Sequence, residues 1–134
     1  MWTALAEDEK HHSMALERSA DLFSVMDVPP SIPDCTLAEV AATISAAETA
    51  VRQPNVTIDD AFRQALAIEG SEMNRIDATW LHGFRSTTSI LLHTQLPATA
   101  QHLRRLVSAI HQFSTDPMLA AQANALWAAY EKAT

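Results

Sequence analysis

The chain has 134 residues, 48% of them hydrophobic, with two glycines, one cysteine and a formal net charge of −7. That length makes one domain, residues 1–134, able to bury a core without disulfides or structural zinc, and the lone Cys35 excludes both an intramolecular disulfide and a Cys-x-x-Cys metal knuckle within the chain. Acidic residues run along the whole sequence with no basic cluster beyond Arg104-Arg105, so a nucleic-acid partner is not expected.

Few glycines, abundant alanine and few aromatics favour helix over sheet, so an all-α fold is expected. Trp2, Leu5, Leu16 and Phe23, with Ala6 and Ala20 beside them, predict a first helix from near residue 1 to about Ser24. Val28-Pro29-Pro30-Ser31-Ile32-Pro33 cannot continue it, because each proline lacks an amide donor and restricts its predecessor, and residues 28–35 read as a rigid extended connection inside the domain. Thr36-Leu-Ala-Glu39 has the form of a capping box opening a short helix to about Arg52, ended by Gln53-Pro54-Asn55. A second start, Thr57-Ile-Asp-Asp60, opens a long periodic segment through Phe62, Leu66, Glu69, Met73, Ile76 and Trp80, closed by His82-Gly83. Residues 84–95 fit either a short helix or a packed loop. Pro97 is a good first helical residue, and Ala100, Leu103, Leu106, Val107, Ile110 and Phe113 predict a helix from there. Asp116-Pro117 supplies the cap and first residue of a last helix to about 132, with Leu119, Leu126, Trp127 and Tyr130. Five helices result.

The chemistry sits where polar side chains interrupt these apolar seams. In Trp2-x-x-Leu5-x-x-x-Glu9-x-x-His12-x-x-x-Leu16, a carboxylate and an imidazole share the face that should meet a core, and burying them without partners costs several kcal/mol, of the order of 2–7 each. Glu69 poses the same problem on the third helix, and so does Glu72 on the alternative seam Ala65, Glu69, Glu72, Ile76, whereas the strictest apolar stripe continues through Met73 and leaves Glu72 at the surface. Facing helices lie about 8–10 Å apart, so carboxylates from two of them can meet over a cation. Oxygen-rich sets with one or two imidazoles suit iron or manganese. The competing arrangement rotates the first helix so that Leu5, Leu16 and alanines make the core while Glu9 and His12 pair near the surface. Glu7, Asp8 and Glu17 read as a charged face, and His11 as a solvated neighbour. His82, His93 and His102 have no partner at ligand spacing and read as structural or exposed.

Leu5-Ala-Glu-Asp-Glu9-Lys-His-His12-Ser-Met-Ala-Leu16 resembles the second bundle helix of rubrerythrin-type proteins in the ferritin-like superfamily, and Thr57-Ile-Asp-Asp-Ala-Phe-Arg-Gln-Ala-Leu-Ala-Ile-Glu69-Gly-Ser-Glu72 resembles their third. The proline link and short helix between them match the crossover that joins those two helices, and the resemblance covers about residues 2–82. It implies a ferritin-like bundle in which Glu9 and His12 are one ligand pair, Glu69 binds or bridges iron, and Glu72 is the extra carboxylate of rubrerythrins. Two departures stand out. The family's earlier helix, which carries another glutamate ligand, is not in the sequence, and the fourth-helix Glu-x-x-His stands here as Ser108-Ala-Ile-His111, leaving His111 as a ligand or as an edge-of-core histidine beside Val107 and Ile110.

From the resemblance, the first expectation is a non-haem iron protein, di-iron or with manganese in its place, that reacts with peroxide or oxygen and takes electrons from an external donor because the rubredoxin-like Cys-x-x-Cys motifs are missing. Its incomplete ligand set would be completed across a homo-oligomer. The alternative is a degenerate bundle without catalysis that acts through assembly, its apolar groove filled by another subunit or partner, or by the C-terminal helix. No apolar run reaches about 18 residues and the N-terminus is acidic and unlike a signal peptide, so no membrane partner and a cytoplasmic protein are expected.

Overall fold

A computed structural model describes residues 2–23, 34–72 and 89–133, and the side chains of residues 12, 15–23, 72, 89–98 and 133 lie outside that description. The described residues form five helices and no strand: α1 Trp2–Phe23, α2 Asp34–Val51, α3 Ile58–Glu72, α4 Ser89–Phe113 and α5 Pro117–Ala133. The expected all-α bundle is what the chain forms. Among the described residues no helix is long and apolar enough to cross a membrane.

Two helix starts follow from local chemistry as expected. Thr57 caps α3: its Oγ1 accepts from the Asp60 amide at 3.1 Å, and Asp60 Oδ2 accepts from the Thr57 amide at 3.0 Å and from its hydroxyl at 2.7 Å. The reciprocal pair satisfies two amides that helix geometry leaves without partners. Asp116 caps α5, its Oδ1 accepting from the Met118 amide at 2.9 Å, with Pro117 in the first helical position where a missing amide costs nothing. Asp116 also holds Arg63 of α3 through a 3.0 Å ion pair, tying the start of α5 to α3.

Two helix boundaries and one apolar position differ from the expectation. α2 begins at Asp34, so Thr36 falls inside its first turn and the Thr36–Glu39 box is not the start. α4 begins at Ser89 and carries Pro97 in its interior. A proline there removes one helical hydrogen bond at a cost of about 3 kcal/mol, but the helix-favouring Ile90-Leu91-Leu92 on one side and the packed segment from Ala100 onward keep the two parts in one helix. Phe113, expected on the apolar stripe, is the last residue of α4 and is exposed. Most of the 28–35 connection and the expected continuation of α3 through Met73, Ile76, Trp80 and His82-Gly83 lie outside the described residues.

The core joins four helices. Leu5 of α1, Phe62 and Leu66 of α3, Leu106, Ala109 and Ile110 of α4, and Leu119 and Ala123 of α5 form one buried cluster. α2 packs on α3 and buries Val40 and Ala47. Cross-helix contacts set the directions. Trp2 meets Phe62 with ring centroids 5.3 Å apart, and seven residues further along each helix Glu9 and Glu69 converge on one histidine, so α1 and α3 run parallel in a constant register. Arg105 meets Asp8 while His102 meets Glu9, so α4 runs antiparallel to α1. α5 folds back along α4, with His111 against Asn124 and Arg104 over the Trp127 ring at 5.0 Å. Parallel neighbours cannot be joined by a tight turn, and the stretch containing α2 carries the chain from the end of α1 to the start of α3.

Candidate metal centre

On three helices a buried apolar stripe meets a polar residue at the same level of the bundle. On α1, Leu5 is buried, and Asp8 and Glu9 follow it by three and four residues, one turn along the same face. On α3 the stripe Phe62, Leu66 is followed one turn on by Glu69. On α4 the stripe Ile110, Leu106, Leu103, read backwards along the antiparallel helix, is followed by His102, whose side chain is only 4% exposed.

His102 Nε2 donates to Glu69 Oε1 at 2.7 Å and lies 3.1 Å from Glu9 Oε1. Its other ring nitrogen, Nδ1, lies 3.6 Å from Asp8 Oδ2, and both Asp8 oxygens accept from Arg105 Nη1, at 2.6 and 2.7 Å. One donor atom each from Glu9, Glu69 and His102 lies within 4.8 Å of the others. Donors held about 2.1 Å from a common ion sit roughly 3 Å apart when adjacent in an octahedron, so the 2.7 and 3.1 Å spacings fit neighbouring positions around one cation.

Electrostatics gives the cluster its character. Burial by itself would push the His102 ring towards its neutral form, but the hydrogen bond to Glu69 and the charges of Glu69, Glu9 and Asp8 outweigh it and hold the ring's pKa above its usual 6.5. The proton on Nε2 therefore occupies the place a divalent ion would take, among two carboxylates that attract either. Glu69 is mostly buried, whereas the Glu9 side chain is about half exposed, so the cluster opens to solvent along α1.

Of the residues expected from sequence, Glu9 and Glu69 are brought together. Their imidazole partner is His102, which sequence spacing had set aside. His12 lies on α1 and Glu72 at the end of α3, and their side chains are outside the described residues. His111 is not brought to the cluster: it is exposed and its Nε2 lies 3.0 Å from Asn124 Oδ1 of α5. At about 100° per residue, the nine positions between His102 and His111 amount to half a turn beyond whole turns, which puts the two imidazoles on opposite sides of α4. Asp8 is likewise not part of a freely solvated charged face but half-buried between Arg105 and His102.

Comparison of the chain with protein-family models, with curated proteins and with solved structures finds no match.

Proposed function

We propose that this chain is a non-haem metal protein that binds iron(II), or manganese(II) in its place, through Glu9, Glu69 and His102, and that the bound ion reacts with peroxide or oxygen. The observation that carries the reading is the convergence of two glutamates and a buried histidine from three helices within 4.8 Å. Two carboxylates and one imidazole are a hard, oxygen-rich set that favours iron or manganese over thiolate-preferring metals. Two carboxylates also balance a divalent charge, which lowers the cost of placing the ion at the edge of an apolar core. Three protein donors leave coordination positions for solvent and oxidant, and the half-exposed Glu9 side gives them a way in. The parallel pairing of α1 and α3 through an intervening connection is the arrangement a ferritin-like bundle uses, and it supports that resemblance. A second iron, as in rubrerythrins, would draw on His12 and Glu72, each three residues along its helix from a glutamate of the cluster.

An iron ion in this site would supply electrons to peroxide or oxygen. Glu69 and Glu9 would hold it and balance its charge, and the single exposed cysteine gives the described chain no thiolate relay, so the reductant would come from outside. Anaerobic Fe(II) titration with metal counted per chain tests the reading. Wild type should saturate at one ion or more, and Glu69→Ala and His102→Ala should abolish saturation and iron-dependent peroxide consumption while helicity is retained. Equal binding in wild type and both variants would overturn it.

One observation favours assembly as a second property of the chain. Leu37, Ile44 and Val51 stand exposed on α2 at seven-residue intervals, an apolar stripe of the kind helices use to pair. A homo-oligomer formed on that face would dissociate on Ile44→Lys, read by sedimentation velocity. An unchanged sedimentation coefficient would exclude the face.

A further inference from the structure

Metal binding at Glu9, Glu69 and His102 would require more of His102 than proximity: Nε2 must present its lone pair to the ion, which leaves the ring proton on Nδ1. That second nitrogen is buried and faces a carboxylate. Asp8 Oδ2 lies 3.6 Å from Nδ1, and Asp8 cannot swing away easily because Arg105 holds both its oxygens at 2.6 and 2.7 Å. The arrangement follows from the helices. Asp8 directly precedes Glu9 on α1, and Arg105 follows His102 by three residues on α4, so the same antiparallel contact that brings Glu9 to Nε2 brings Asp8 to Nδ1. Leu5, buried one turn before both, fixes the rotation of α1 that makes the two contacts together.

We infer that Asp8, anchored by Arg105, is a positioning residue for the metal centre: it holds the Nδ1 proton of His102 and so aims Nε2 at a divalent cation between Glu9 and Glu69. The inference rests on the metal-binding reading above. Asp8 contributes no ligand atom. Its negative charge makes the imidazole a better donor, and its attachment to Arg105 restricts ring rotation that would otherwise have to be frozen on binding. Carboxylates placed behind ligand histidines act in this way generally, and their removal weakens metal affinity by about 10- to 100-fold. The gap of 3.6 Å is longer than a hydrogen bond, and it would close once the Nε2 proton is replaced by an ion and Nδ1–H becomes the ring's only donor.

Cobalt(II) is the probe that separates this role from simple support of the fold. A histidine bound to it shows its remaining ring N–H as a strongly shifted, exchangeable proton resonance. Wild type should bind Co(II) and show that resonance in slow exchange with water. Asp8→Asn, close in size and able to keep one contact to Arg105, should bind ~10- to 100-fold more weakly and lose the signal to fast exchange, while metal-free helicity and Tm change little. Arg105→Gln, which leaves Asp8 in place without its anchor, should shift both readouts in the same direction by less. Unchanged affinity and exchange in Asp8→Asn, with wild type still binding, would overturn the positioning role and leave the metal site standing. Absence of Co(II) binding by wild type, with iron(II) and manganese(II) also unbound, would overturn both.

Discussion

Replacing Glu69 by glutamine keeps the size of the side chain and one acceptor oxygen and removes a single charge, so it isolates the electrostatics of the cluster in the metal-free protein. In wild type His102 Nε2 donates to Glu69 at 2.7 Å from a side chain that is 4% exposed. A bond of that kind between two ions contributes about 1.5–3 kcal/mol, and the bond from the imidazolium to a glutamine oxygen keeps only the donor's charge and about half of that. Glu69→Gln should therefore cost about 1–2 kcal/mol wherever His102 is protonated. The folded pKa of His102 lies above its ordinary 6.5, so this stabilisation is fully present below about pH 6.5 and is lost as pH rises through the folded value. Thermal unfolding by circular dichroism in the presence of a chelator reads the effect. For a domain of this size the expected drop in Tm at pH 6 is roughly 4–8 °C. At pH 9 it should vanish or reverse, because without the imidazolium Asp8, Glu9 and Glu69 repel one another and the variant removes one of them. A drop of equal size at both pH values, or none at pH 6, would refute the assignment of a charged His102 shared between carboxylates.

Further outcomes follow from the same contacts. Phe62 is fully buried between α1 and the rest of the core, so Phe62→Ala should lower unfolding free energy by about 3–5 kcal/mol in urea, while Met118→Ala, at a residue 65% exposed, should stay within ~0.5 kcal/mol. Thr57→Ala removes the side-chain acceptor at the start of α3 and should cost about 1 kcal/mol; a Thr57→Ser control should restore most of it. A proton and a divalent ion compete for His102 Nε2, so manganese(II) affinity measured by dialysis should fall as pH drops through the folded pKa of His102, and an affinity that does not change between pH 8 and pH 5.5 would contradict the assigned donor.

The parts of this architecture that are legible in the sequence are those set by neighbours along the chain. Thr57 and Asp60, or Asp116 and Pro117, act within one helical turn, and their caps form as the residue types dictate. Glu9 and Glu69 are conspicuous because each interrupts an apolar stripe, and the structure brings both to one point. His102 escaped because its partners lie 33 positions away on α3 and further still on α1, with no ligand at helical spacing on α4 itself. The available signal was its phase: His102, Leu106 and Ala109 are spaced four and three apart, all on the buried side of α4. The same arithmetic turns His111 away. Asp8 hid in a run of charge, Glu7-Asp8-Glu9-Lys10, where only its three-residue step from Leu5 marks it as inward-facing. The start of α4 was misplaced because Pro97 is equally compatible with a first position and, at a cost, with the interior of a helix whose flanks both favour it.

The most direct measurement is anomalous diffraction from crystals soaked anaerobically in iron(II) or manganese(II). The proposal predicts a peak about 2.0–2.2 Å from one carboxylate oxygen each of Glu9 and Glu69 and from His102 Nε2. Soaked crystals in which His102 keeps its direct bond to Glu69, with no anomalous density among the three side chains, would contradict it.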